Sequence, residues 1–256
     1  MGSRSRMLVR KGWLPSQHGG WAIVLLPVLV GMGVGGFAPV QLALLGAALS
    51  TFLAAQVWET WLKSRRKPRY YPALVTYVGL TAIFGLILLI SRPFLFTWSW
   101  VLLPYIPFLI YEWYCGRSTG VWARALLVVV CVFLSPAAYM IGPMLRSWSE
   151  EIIATAVVLC YLLGSIFYVR SMIRGRNNPR WMWVSWTYHG ALLVVALLLA
   201  ISRGFSWWYM VLAAVLATRA VMLPLMQKKG TRVRPGLIGA GEIAMSVLTY
   251  CVAIYG

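Results

Sequence analysis
Nine mostly apolar stretches, each about as long as a bilayer is thick, divide the chain and restrict it to an all-α membrane fold. A spanning helix takes about 20 residues. Hydrocarbon offers no partner for backbone N–H and C=O groups, so each stretch must satisfy its own as a helix. Polar or Pro/Gly breaks set approximate limits at Trp21 to Phe37, Gln41 to Trp61, Leu74 to Ile90, Trp98 to Tyr114, Trp122 to Ile141, Ile152 to Ile173, Trp183 to Ile201, Trp207 to Met226 and Leu237 to Tyr255. With 61% of the 256 residues hydrophobic and only 11% charged, a soluble domain is excluded. The chain is expected to form a single integral membrane domain over residues 1–256, with a basic segment at 1–20 ahead of the first span. Pro39 makes Gly36-Phe37-Ala38 a poor cleavage site, so the first span is expected to be retained.

The formal net charge of +18 raises the question of nucleic-acid binding, which the distribution of charge answers. Arg4, Arg6, Arg10 and Lys11 precede the first span, and Lys63, Arg65, Arg66, Lys67 and Arg69 follow the second. Arg117 and Arg124 follow the fourth, Arg170, Arg174, Arg176 and Arg180 the sixth, and Lys228, Lys229, Arg232 and Arg234 the eighth. Thus 19 of 23 basic residues fall on one side, leaving Arg92, Arg146 and Arg203 opposite and Arg219 within the eighth span. The bias predicts a cytoplasmic N-terminus and an outside C-terminus. The charge serves topology and attraction to anionic headgroups rather than nucleic acid. Tryptophans near span ends, among them Trp21, Trp98, Trp183 and Trp207, read as interfacial anchors. The four cysteines lack CxxC spacing and read as small packing residues rather than disulfides or zinc ligands.

An offset of 111 residues aligns Pro68-Arg69 with Pro179-Arg180, Thr76-Tyr77 and Gly79 with Thr187-Tyr188 and Gly190, and Ile90-Ser91-Arg92 with Ile201-Ser202-Arg203. The shift maps spans two to four onto six to eight and keeps their orientation. The chain therefore reads as repeat-like halves at about 21–117 and 118–230 plus a ninth helix at about 237–255. Parallel repeats tend to hold a ligand site between them.

An ionised side chain at bilayer depth costs about 3 kcal/mol or more, so such residues mark candidate sites. The chain has five acidic residues, all glutamates. Glu150 and Glu151 fall in an external connection, where solvated surface explains them. Glu59, Glu112 and Glu242 lie near the cytoplasmic ends of spans two, four and nine, and His18 immediately precedes the first. Tyr77, Tyr188 and His189 lie in the first turns of spans three and seven, and Arg219 in the inner half of the eighth. These groups are expected at one depth, in a polar cavity facing the cytoplasm. Gln56, Glu59 and Lys63 share a helix face, as do Arg170 and Arg174. An i,i+4 ion pair and interfacial snorkelling are the plainer readings of Glu59, Lys63 and Arg174. His189 reads as a satisfied bundle residue. His18, within Gln17-His18-Gly19-Gly20-Trp21, has the chemistry to carry a proton or meet a phosphate near neutral pH.

Gln17-His18-Gly19-Gly20-Trp21 and Gly239-Ala240-Gly241-Glu242-Ile243 resemble the bacterial YwiC-like membrane proteins over the whole chain. More distantly, nine spans, two repeated four-helix units and the cytoplasmic loops resemble the UbiA-type intramembrane prenyltransferases. Tyr114-Cys115-Gly116-Arg117, followed by Pro136 in span five, is similar to that superfamily's Tyr and basic-residue motif. The resemblance implies a UbiA-like bundle in a bacterial plasma (inner) membrane. It also implies two Asp-rich Mg²⁺ clusters at the ends of spans two and six. Here those places hold Glu59 with Lys63 and Arg65, and Arg170, Arg174 and Arg176. Hard divalent cations need several carboxylate oxygens, so Mg²⁺ is disfavoured and no cofactor is expected. Arginine can hold a phosphate without metal.

The first expectation is therefore a UbiA-like transferase, or a non-catalytic descendant, that takes an anionic lipid or isoprenoid phosphate, with quinone as another lipophilic partner. His18, Glu59 and Glu242 would act as acid, base or proton carrier. Gln17, Gln56, Lys63, Tyr77, Glu112, Arg117, Arg170, Arg174, Tyr188 and Arg219 would line the site. A proton-coupled transporter or lipid translocase is the second expectation, and an assembly factor of a membrane complex the third. The orientation is directly testable. Alkaline phosphatase fused after Gly256 should be active and green fluorescent protein dark at the same position; a fluorescent fusion would reverse the assignment.

Overall fold
The computed structural model describes residues 11–14, 20–116, 120–144, 146–173, 175–176, 178–202, 205–228 and 235–256. The described residues form helices α1 (Gly20–Gly35), α2 (Val40–Lys63), α3 (Tyr71–Ser91), α4 (Phe94–Ser99), α5 (Tyr105–Tyr114), α6 (Val121–Val132), α7 (Leu134–Ile141), α8 (Trp148–Met172), α9 (Pro179–Ile201), α10 (Trp207–Lys228) and α11 (Pro235–Tyr255). No strand occurs among the described residues. Among the described residues seven helical segments are long and apolar enough to cross a membrane, those of a multi-pass membrane protein; α6 with α7 counts as one of them. An eighth is present if α4, extended to Leu102 by the 3₁₀ turn Trp100–Leu102, forms one span with α5 across a 50° bend. Pro104 stands at that break and brings no N–H to continue a helical ladder. The expected fourth span is therefore not one straight helix. At 16 residues, about 24 Å at 1.5 Å per residue, α1 is shorter than these seven segments and is not one of them.

The chain divides into two compact units, Met1–Glu151 and Ile152–Gly256. The first unit includes residues 118–151. The repeat motifs nevertheless stand at corresponding helix ends. Pro68-Arg69 opens a 3₁₀ turn before α3 and Pro179-Arg180 opens α9, while Ser91 and Ser202 stand at the two C-terminal ends.

In the first unit α3 runs along α2, and α1 along α7. A methyl group on Gly31 would collide with the Ser135 carbonyl, and one on Gly35 with the backbone of Tyr139. Small residues four apart thus let the two backbones touch, a main source of attraction between helices that share an apolar solvent. Val28, Ala43, Leu44, Leu88, Ala137, Ala138 and Ile141 close the core around that crossing. Gly36, at φ +78°, turns the chain from α1 to α2. Gln41, fully buried, secures this turn: Nε2 donates to the Gly36 and Ala138 carbonyls at 2.9 and 2.8 Å, and Oε1 accepts from Ala38 N–H at 2.7 Å.

Within the second unit α9 packs along α10, and α10 meets α11. Tyr168 and Met172 of α8, Ala220 of α10 and Ile238 of α11 form its core cluster. Trp186 Nε1 donates to the Ala220 carbonyl at 2.9 Å, and Tyr188 OH to that of Cys160 at 3.0 Å, so α9 is tied to both neighbours. Outward positions such as Ile90, Val194, Leu198 and Met222 stay exposed and apolar, as lipid contact requires.

The glycine crossing gives a stability prediction. Gly31→Val should cost about 1–3 kcal/mol, seen as a lower Tm in detergent, whereas Gly79→Ala, with open space around the added methyl, should leave Tm nearly unchanged.

Candidate functional site
The second unit buries a connected polar cluster between α8, α10 and α11. Arg219 Nη1 donates to Glu242 Oε1, and the two side chains are only 10% and 11% exposed. Ser165 Oγ donates to Glu242 Oε2, and Tyr161 OH lies 3.4 Å from that oxygen and 2.9 Å from the Glu242 carbonyl. Ser246 Oγ completes the group, 3.0 Å from Tyr161 OH and donating to the Glu242 carbonyl at 2.8 Å. The Arg219 guanidinium lies over the Tyr168 ring, 4.2 Å from its centroid. Both carboxylate oxygens are engaged, yet Arg219 Nε and Nη2 are buried with no acceptor among the described residues. Leaving a buried donor unsatisfied costs about 1–3 kcal/mol. His189, 2% exposed, donates from Nδ1 to the Ser185 carbonyl at 2.8 Å, which fixes its ring.

A second feature lies where α8 ends and α9 begins. Here Ser171, Gly175, Arg176, Asn178, Pro179, Met182, Pro224, Gln227 and Lys228 line a cleft of about 300 Å³. Gly175 N–H donates to the Arg170 carbonyl at 2.7 Å and Asn178 N–H to that of Gly175 at 2.8 Å. Arg170 places its guanidinium over Trp181, 4.1 Å from the ring centroid. Asn178 caps α9, its Oδ1 accepting from Arg180 N–H at 3.0 Å. The cleft thus combines two exposed cations, Arg176 and Lys228, with a capped helix N-terminus.

In the first unit Lys63 reaches back one turn to Glu59, with Glu59 10% and Lys63 45% exposed. The α2 C-terminus unwinds through Arg65 and Arg66, both left-handed at φ +58° and +60°. Two such non-glycine residues cost about 1–2 kcal/mol each. Gln56, half-buried, accepts the Thr60 hydroxyl at its backbone carbonyl. Tyr77 OH donates to the Trp13 carbonyl at 2.7 Å and pins the segment before α1. Glu112 lies half-buried on α5.

Of the expected site residues, Glu242 and Arg219 are thus in direct contact, as are Glu59 and Lys63, and the two pairs belong to different units. Tyr188 and Arg170 bind elsewhere in the second unit, and Gln17, His18, Arg117 and Arg174 lie outside the described residues. Glu151 corrects the sequence reading. It is fully buried in the first turn of α8 and accepts the Ser135 hydroxyl at 2.8 Å, instead of standing on solvated surface. Sequence reasoning also missed Tyr161, Ser165 and Tyr168, whose spacing puts them on one face of α8. The C-terminal end of α2 carries a single carboxylate, Glu59, bound to Lys63, and the segment after α8 carries arginines, a donor set that lacks the several carboxylate oxygens Mg²⁺ takes.

In sequence, the chain is similar to uncharacterised bacterial proteins. The family model described as "YwiC-like protein" matches residues 14–139. The uncharacterised protein YwiC of Bacillus subtilis is 32% identical over 186 residues, 70% of this chain and 74% of that protein. An uncharacterised protein of Haemophilus influenzae is 26% identical over 242 residues, 94% of this chain and 98% of its own length. No solved structure matches the chain.

Removing one partner of the Arg219 and Glu242 pair strands the other charge. Arg219→Leu and Glu242→Leu should each cost about 3–5 kcal/mol, read as a fall in Tm. The double variant should recover much of the loss, whereas additive losses would mean that the pair is not coupled.

Proposed function
The chain belongs to the YwiC-like family, and we propose that it binds the anionic head of a membrane lipid or isoprenoid phosphate from the cytoplasmic side of a bacterial plasma membrane. The observation that carries this reading is the basic cleft at the ends of α8, α9 and α10. A phosphate there would meet Arg176 as a planar donor and Lys228 as a point charge. It would also meet the positive end of the α9 dipole, with Gln227 and Ser171 nearby as polar lining. Met182 and Pro224 supply apolar wall on which an acyl or prenyl chain would continue into lipid.

In this reading α1 and the α4 with α5 pair also cross the membrane, giving nine spans, and the basic residues face the cytoplasm. The matched motifs at the ends of α3 and α9 are traces of a duplicated unit. Arg170, stacked on Trp181, acts by holding the α8 to α9 connection in shape. Group transfer would have to proceed without the paired Mg²⁺ ions of prenyltransferases, because the corresponding places hold one carboxylate, Glu59, bound to Lys63, and otherwise arginines. Binding is therefore the function proposed, with any transfer reaction secondary to it.

Native mass spectrometry of the protein released from bacterial membranes tests the reading. Wild type should retain a phosphate-bearing lipid, and Arg176→Ala with Lys228→Ala should weaken its retention by about tenfold or more. Equal retention by both proteins, or no lipid on the wild type, would dismiss the cleft as the binding site.

A further inference from the structure
We infer that Arg219 holds the carbonyl oxygen of an uncharged lipophilic ligand inside the second unit, at a site that shares no lining residue with the basic cleft. A guanidinium presents two forks. Nη1 is committed to Glu242, so the open pair is Nε with Nη2, whose N–H bonds point the same way along one edge. Both donors of that fork are buried without an acceptor among the described residues, on a side chain nine-tenths buried. Glu242 has no oxygen to spare, since Oε1 takes Arg219 and Oε2 takes Ser165 with Tyr161 nearby.

Charge decides the class of acceptor. Glu242 already neutralises Arg219, so a carboxylate or phosphate at the fork would leave an uncompensated negative charge in a low-dielectric interior. A neutral carbonyl oxygen has two lone pairs and satisfies both N–H groups without adding charge. Tyr168 covers one face of the guanidinium, which directs the ligand to the edge of the plane. Val215 and Met222, one turn to either side of Arg219 on α10, are exposed at 36% and 60% and offer apolar surface for the rest of the ligand. Admission of the oxygen requires a side-chain displacement, because the fork lies beneath the surface. Two sources carry this chemistry, an isoprenoid quinone and the ester carbonyl of an uncharged acyl lipid.

The experiment measures Tm of delipidated protein with decylubiquinone, with dioctanoylglycerol and with laurate. One of the two neutral probes should raise Tm by about 5 °C at saturation, and which one does so identifies the source. Arg219→Lys, which keeps the charge but loses the fork, should abolish the rise. The Arg176→Ala, Lys228→Ala variant should keep it, so failure here and failure of the cleft are read separately. Should Arg219→Lys not fold, a diazirine-bearing quinone or acylglycerol on the wild type should cross-link to residues 165–168 and 215–222. The inference is overturned by no rise with either neutral probe, which leaves hydration as the fork's partner. A rise with laurate alone, a rise that persists in Arg219→Lys or is lost in the cleft variant, or cross-links elsewhere would equally overturn it.

Discussion
A polar group placed in hydrocarbon must find its partner inside the protein, and most of this structure is arranged around that constraint. Helices answer it for the backbone. Side chains then turn the same requirement into glue: Gln41 reaches the Ala138 carbonyl, Trp186 that of Ala220 and Tyr188 that of Cys160. Each donates to a carbonyl on a neighbouring helix. Apolar contact alone distinguishes weakly between helix and lipid, so these bonds, with the glycine contacts of α1 and α7, specify which helices pair.

Depth separates two pairs of similar chemistry. Lys63 is nearly half exposed, so its attraction to Glu59 is screened and contributes little to stability. Arg219 and Glu242 are each about nine-tenths buried, and three hydroxyl side chains gather around the carboxylate and its backbone. Such an arrangement holds charge by enclosing it, and it ties α10 to α11 through a contact that neither helix can replace alone. The cleft at the α8 to α9 connection is the opposite case, with cations left facing outward.

The sequence conveyed the all-helical, multi-pass character, because hydropathy and backbone satisfaction act locally, residue by residue; of the nine expected spans, seven or eight are long and apolar enough among the described residues. It conveyed Glu242 and Arg219 as costly residues for the same reason. Their neighbours were harder to read: Tyr161, Ser165 and Tyr168 carry no charge, and only their spacing along α8 hinted at a shared face. Glu151 was misjudged because a loop was drawn through it, whereas the helix begins at Trp148 and the carboxylate turns toward Ser135. Pro104 was visible, yet a span drawn through it as continuous proves bent by 50°. The cleft was not legible as a shape, since it forms only where three helix ends meet, although its arginine and lysine had been noted as topological charge.

The Gln41 amide has a consequence for how the first unit opens. It accepts from Ala38 N–H and donates to Gly36 and Ala138, so the connection between α1 and α2 is closed by a side chain rather than left to solvent. Amide exchange at Ala38 must then await withdrawal of Gln41, which also breaks its bond to the Ala138 carbonyl of α7. A residue outside any helix thereby becomes a reporter of the cooperative opening of three of them.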